Sequence, residues 1–138
     1  MYLLDTNVIS ELRKKSKINE GVKAFFKKAM LESSPLFLSV VTIGELRRGV
    51  ELVRFRGDGQ QATLLEDWLV GLLGDYRDFI LDFSVEEAQV WGRLRVPAHE
   101  NALDKQIAAT ALTHDLCVVT RNTQDFIGTG VRLLNPFD

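Results

Sequence analysis

The chain has 138 residues, 46% of them hydrophobic and 26% charged, with a net charge of −2 and one cysteine. That length and balance fit a single globular domain spanning 1–138, with a core of its own, and exclude a mostly disordered chain. Cys117 alone excludes an intrachain disulfide or a cysteine-rich zinc site, and no run approaches the ~18 apolar residues of a membrane span, so a cytosolic protein is expected.

Tyr2-Leu3-Leu4 reads as a short buried strand ending at Asp5. Asn7 to Lys15 follows as a helix with Val8, Ile9 and Leu12 on one face. A second helix is expected from Asn19 to Glu32, with Val22, Phe25, Phe26, Ala29 and Met30 as its apolar stripe, and Pro35 marks the break after it. Leu36 to Val41 is the next strand, and Thr42 is placed to cap a helix running to Arg56. After the turn Gly57-Asp58-Gly59 comes an amphipathic helix from Gln61 to Gly74, then a strand over Phe79–Phe83. Ser84 and Glu87 have the spacing of a capping box at the start of the following helix, which Pro97 ends. Asp104 opens a helix through Leu112, Val118-Val119-Thr120 is a fourth strand, and Val131–Leu134 a short last one. Cys117 lies in the apolar run before that fourth strand, where a buried, inert thiol is expected. Strands alternating with helices imply an α/β domain with parallel pairing and ligands bound beyond the carboxyl ends of the strands.

Four carboxylates, Asp5, Glu45, Asp104 and Asp125, lie at strand-to-helix junctions or within mostly apolar helical stretches. Each has an ordinary explanation: a helix cap for Asp5 and Asp104, a surface pair with Arg48 for Glu45, a turn for Asp125. Desolvating a carboxylate is costly without compensation, and no cluster of Lys or Arg stands beside these in sequence. If they converge, they form an all-oxygen pocket suited to Mg²⁺ or Mn²⁺. Gly44 and Gly49 each lower helix stability beside Glu45, a cost that close approach of another backbone or of a ligand would explain. His99 and His114 have no partner at metal-ligand spacing and read as surface or structural residues. Asp82, at the end of the third expected strand, raises a separate possibility: a receiver-like phosphoacceptor domain.

Charge is uneven along the chain. Residues 1–30 carry a net +4 and the remainder −6. The basic stretch reads either as a solvated helix face or as a lobe that attracts a polyanion.

Taken together, these segments resemble the motifs of PIN-domain nucleases. Leu3-Leu4-Asp5-Thr6-Asn7-Val8-Ile9-Ser10-Glu11 is similar to their opening motif, and Ser39-Val40-Val41-Thr42-Ile43-Gly44-Glu45-Leu46 with Gly49 to the second. Asp104 to Ala111 is similar to the third, and Thr120-Arg121-Asn122-Thr123-Gln124-Asp125-Phe126 to the fourth. Each motif alone is short; all four in order cover nearly the whole chain. The resemblance is greatest to VapC-type toxins of the FitB-like branch. It implies a three-layer α/β/α fold around a mostly parallel sheet and Mg²⁺- or Mn²⁺-dependent cleavage of RNA. It also implies a homodimer and a small cognate antitoxin that inserts a segment near the active site. By position, Asp5, Glu45, Asp104 and Asp125 match the family's four acids, and Thr6, Asn7, Thr120 and Asn122 its supporting polar positions. RNA would also need basic residues around an acidic pocket, for which Lys14, Lys15, Lys17, Arg47, Arg48 and Arg121 are candidates. A protein that keeps this fold as a binding module without chemistry is the remaining alternative.

Overall fold

The computed structural model describes all residues 1–138. Five strands form one sheet: β1 (Tyr2–Leu4), β2 (Leu36–Ser39), β3 (Ile80–Leu81), β4 (Cys117–Val119) and β5 (Leu133–Leu134). Their spatial order is β3-β2-β1-β4-β5, and every pairing is parallel. The chain therefore builds outward from β1 to β3 on one side, then returns to place β4 and β5 on the other. Order reverses between β1 and β4, which in an open parallel sheet is where a crevice forms beyond the carboxyl ends.

Both faces of the sheet are covered, which explains why the strands are continuous apolar runs rather than alternating ones. Successive strand residues point to opposite faces. Leu4, Leu38 and Val119 face a core shared with α1 (Thr6–Glu11), α2 (Glu20–Leu31), α3 (Val40–Phe55) and α4 (Gly59–Asp75). Leu3 and Val118 face the second core, with Ile107, Ala108 and Ala111 of α6 (Ala102–His114) and with Phe126. Leu94 of α5 (Val85–Leu94) packs against that cluster too. The result is the expected three-layer α/β/α arrangement. No helix is long and apolar enough to cross a membrane.

Several element ends differ from the sequence reading. The first α-helix stops at Glu11 and continues as a 3₁₀ turn over Leu12–Lys17, with Lys15 at φ 54°. Here Glu11 is buried, accepting from the Asn19 amide at 2.8 Å and pairing with Lys14 at 2.9 Å, so the chain bends around it. Ser39, not Thr42, caps α3: its Oγ accepts from the Val41 amide at 3.0 Å, and Thr42 is buried within the first turn. Met30 is 79% exposed, outside the stripe that buries Val22 and Ala29. The third strand shrinks to two residues: Phe79 belongs to a 3₁₀ turn over Arg77–Phe79, and Asp82 and Phe83 lie beyond the last pairing, Ser39 with Leu81. Ser84 bonds the Glu87 carboxylate, but no side chain caps the backbone of α5. Asn101 precedes α6 at φ 56°, which puts Asp104 in the first turn rather than at the cap. Cys117 is only half-buried, and its burial raises the thiol pKa.

The glycines sort by what surrounds them. A Cβ at Gly21 would lie 2.1 Å from the Pro136 carbonyl oxygen, where residues 135–138 pack over the start of α2. Gly44 and Gly49 have nothing within 4 Å of that position, so no backbone approaches them. Gly44→Ala is expected to stabilise the protein by up to about 1 kcal/mol through helix propensity. Gly21→Ala is expected to destabilise it by about 1–3 kcal/mol through overpacking. Urea denaturation of the two variants checks the opposite signs.

Candidate active site

Asp5 sits where β1 gives way to α1 and is 6% exposed. Its backbone amide donates to the Val119 carbonyl at 2.9 Å, which ties it to the end of β4. Its Oδ1 accepts from the Thr6 amide at 2.8 Å. Its Oδ2 accepts from the Thr120 hydroxyl at 2.7 Å and from the Asn7 amide group at 3.3 Å. Thr120 Oγ1 also accepts from the Asn122 amide at 3.0 Å, and Asn7 Oδ1 accepts from the Arg121 amide at 3.0 Å. Thus the loop after β1 and the loop after β4 are held together by side chains from both. Asp5 does cap its helix, and the same carboxylate faces a cleft.

That cleft has a volume of about 550 Å³. Asp5, Glu45 and Asp104 all line it, with Thr6, Asn7 and Asn122 around them. Glu45 comes from α3 and Asp104 from the first turn of α6, so three separate elements each deliver one carboxylate to the switch point of the sheet. Asp125 lies on the 3₁₀ turn after β4 and lines a smaller adjoining cleft with Arg121, Asn122, Thr123 and Gln124. Its charge still acts on Asp5 and Asp104. Three of the four acids meet in one cavity; the fourth stands at its border, with Asn122 on both sides of the boundary.

None of the four acids forms an ion pair. The surface pair that would have explained Glu45 by Arg48 is not made; Arg48 is exposed on α3. Burial pushes Asp104 up from its ordinary 3.8 to about 6, and the charges of Asp5, Asp125 and Glu45 add to the effect. The amide end of α6 favours a carboxylate in its first turn, yet burial and like charge outweigh it. Burial raises Asp5 as well, against the hydrogen bonds from Thr120, Thr6 and Asn7 that hold it down. These hard oxygen donors, unpaired with any cation and repelling one another, have the chemistry of a divalent-cation site. As they stand, no three of them close around a single point.

Two residues brace Asp104 from outside the cleft, and the sequence reading passed over both. Trp91 Nε1 donates to the Ala102 carbonyl at 3.0 Å, and buried Lys105 donates to the Ala98 carbonyl. Both bonds hold the start of α6. The available signal was a lysine inside an otherwise small and apolar helix. Asn101, which lines the cleft at positive φ, was also missed; Asn tolerates that conformation better than most residues.

The basic candidates divide. Arg47 bonds Glu66 at 2.8 Å and Glu51 at 3.2 Å, and Arg54 bonds the same two acids, so Arg47 is spent on joining α3 to α4. Lys14 is held by Glu11, and the Arg121 guanidinium lies 3.9 Å from the centre of the Phe137 ring. Lys15, Lys17 and Arg48 are exposed and without ion pairs. Asp82 is exposed beyond the edge strand β3 and lines neither cleft, so the phosphoacceptor reading loses its acidic neighbours. His114 contacts Glu87 at 3.4 Å, His99 is exposed, and neither belongs to a cluster of metal-ligating side chains.

Comparison with known proteins gives a consistent result. The model of the PIN domain family matches residues 2–130. Toxin FitB of Neisseria gonorrhoeae is 38% identical over 99% of this chain and 99% of its own. VapC ribonuclease Y4jK of Sinorhizobium fredii is 33% identical over 100% of this chain and 99% of its own. The crystal structure of FitAcB from Neisseria gonorrhoeae contains a chain that superposes with a TM-score of 0.85 at 37% identity, covering 99% of this chain and 98% of that one.

A carboxyl group whose pKa is higher in the folded state binds its proton more tightly there. Stability contributed by Asp104 therefore falls as pH rises from its ordinary 3.8 through about 6. In chelator, Asp104→Asn is expected to melt higher than the parent above about pH 7 and to converge with it near about pH 4. Thermal melts across that range check it.

Proposed function

The chain belongs to the PIN-domain family, and from that premise we propose that its acid cleft is the centre of a metal-dependent endoribonuclease. We further propose that the protein is the toxin of a type II toxin–antitoxin pair, acting on RNA in the cytoplasm. The carrying observation is the meeting of Asp5, Glu45 and Asp104 in one cleft without a cationic partner. A ribonuclease and a toxin among relatives aligned over almost their full length support the activity and the biological role.

Asp5 and Asp104 are assigned as direct ligands of Mg²⁺ or Mn²⁺, with Glu45 and Asp125 completing the set directly or through water. When bound, the ion supplies an acidified water and positive charge against the scissile phosphate. The protein's own part is orientation. Thr120 and Asn7 fix which way Asp5 presents its carboxylate, a task their bonds to Oδ2 support. Trp91 and Lys105 hold the turn that carries Asp104. Asn122, at the boundary between the two acidic clefts, is placed to meet a phosphate oxygen or a water. Lys15, Lys17, Arg48 and Arg121 are assigned to the RNA backbone, whose approach the acids alone would oppose; Lys14 is left out, because Glu11 holds it. Arg47 is left out, because Glu51 and Glu66 already occupy its guanidinium. Control of such a centre falls to a small antitoxin.

The direct test maps cleavage ends in total RNA after brief induction of wild type and Asp5→Asn. Cleavage is expected to fall by more than about a hundredfold in the folded variant. Full activity in folded Asp5→Asn sinks the assignment. For the purified protein, chelation is expected to abolish cleavage and added Mg²⁺ or Mn²⁺ to restore it. A binding module of the same fold would take up metal and antitoxin without cutting.

A second expectation concerns orientation. Thr120→Val removes the hydroxyl that holds Asp5 and should weaken metal binding by about 10–100-fold while the fold persists. Calorimetric metal titration measures it.

A further inference from the structure

A second cleft, of about 440 Å³, opens beside the acid cleft and shares Thr6 and Glu45 with it. Its walls come from α1, α3 and α4. Leu65 and Trp68 stand on its apolar side, and Ser10, Arg13 and Gln61 supply hydrogen-bonding groups. Arg13 forms no ion pair; its guanidinium lies 5.7 Å from the centre of the Trp68 ring.

Two features indicate that this space is built. First, Arg47 and Arg54 of α3 both bond Glu66 of α4 at 2.8 Å, and Glu51 bridges the two arginines. The network fixes the distance between two of the walls. Second, Gly49 lines the cleft, and a Cβ there would meet nothing within 4 Å. Glycine is a poor residue inside a helix. No backbone comes near to require it, and what it supplies is room in the cleft.

We propose that the second cleft is a nucleobase subsite, holding a base one nucleotide from the phosphate cleaved in the acid cleft. This rests on the reading of the acid cleft as an RNA-cleaving centre. The match is chemical. A base is flat and apolar on its faces, where Trp68 stacks, and polar at its edge, where Ser10 and Gln61 bond. It is also neutral, so it can lie near Glu45 where a second phosphate would be repelled. Arg13, free of any acid, closes over the base or meets the adjoining phosphate, the use of Arg and aromatic groups that single-stranded RNA recognition favours. Because the two clefts share residues, the base in one helps place the phosphate in the other.

The test is nuclear magnetic resonance of the isotopically labelled protein in Mg²⁺ buffer, titrated with each of the common ribonucleoside monophosphates. Signals of Ser10, Gln61 and the Trp68 indole are expected to shift for at least one nucleotide. Gly49→Leu fills the cleft with a better helix former, so it should stay folded and lose those shifts. Trp68→Ala should weaken the interaction by about tenfold. The proposal is overturned if no nucleotide moves these signals, if Gly49→Leu binds unchanged, or if only a peptide occupies the cleft. Cleavage mapping separates it from the reading beneath it. A Gly49→Leu enzyme that still cuts but has lost its preference for the neighbouring base supports the subsite. One that keeps both rate and preference overturns the subsite and leaves the nuclease intact. Absence of cleavage by the wild type overturns both.

Discussion

The bond from the Thr120 hydroxyl to the Asp5 carboxylate, 2.7 Å long and buried, joins the ends of two strands 115 residues apart. Everything at the acid cleft depends on that junction. β1 and β4 are neighbours in the sheet, and the cleft opens beyond their carboxyl ends, walled by α3 and the start of α6. A carboxylate there without donors would cost several kcal/mol to desolvate and would protonate instead. Thr120, the Thr6 amide and Asn7 keep Asp5 available as an acceptor and set its direction. The same hydroxyl accepts from the Asn122 amide, so the loop leading to Asp125 is positioned by the residue that positions Asp5.

The remaining acids show what this arrangement costs. Packing usually brings opposite charges together or keeps like charges apart. Here the fold buries Asp104 and brings it toward Asp5 and Glu45, so burial first, and the neighbouring charges after it, push its carboxyl group up to about 6. Structural carboxylates in this chain behave in the opposite way. Glu11, Glu51, Glu66 and Glu87 are all held below the usual range by hydrogen-bonding partners, Lys14 for the first and arginines for the next two. Ser84 does the same for Glu87. The contrast sets Asp5 and Asp104, both raised, apart from the carboxylates that hold the protein together.

Around the acid cleft the scaffold is braced behind Asp104 and left open beside Glu45. Trp91 and Lys105 fasten the start of α6 behind Asp104. Arg47 and Arg54 fasten α3 to α4 away from it. Surface ion pairs are individually worth little, but two arginines sharing two glutamates limit how far the helices can separate. Gly49, by contrast, leaves one helix face bare beside the acids. Rigid walls around an open space are what positioning a flexible single strand requires.

Much of this was legible in the chain itself. Apolar runs of strand length, separated by helical periodicities, determined an α/β fold, because strands buried on both faces have no polar side to show. The order of the motifs singled out the four acids, because a carboxylate after a strand or within an apolar helix has few ways to be satisfied. Tertiary structure alone decided the rest. It showed that Asp5, Glu45 and Asp104 share a cavity while Asp125 borders it, since convergence depends on strand order and not on spacing along the chain. It moved the cap of α3 to Ser39 and took Asp104 off the cap of α6, since caps follow from where strands end. It paired Arg47 with Glu66, a contact that exists only across a helix pair. And it showed that Gly21 makes way for Pro136 while Gly49 makes way for open space, two uses of one residue that no local sequence distinguishes, because each is defined by what lies opposite in the folded chain.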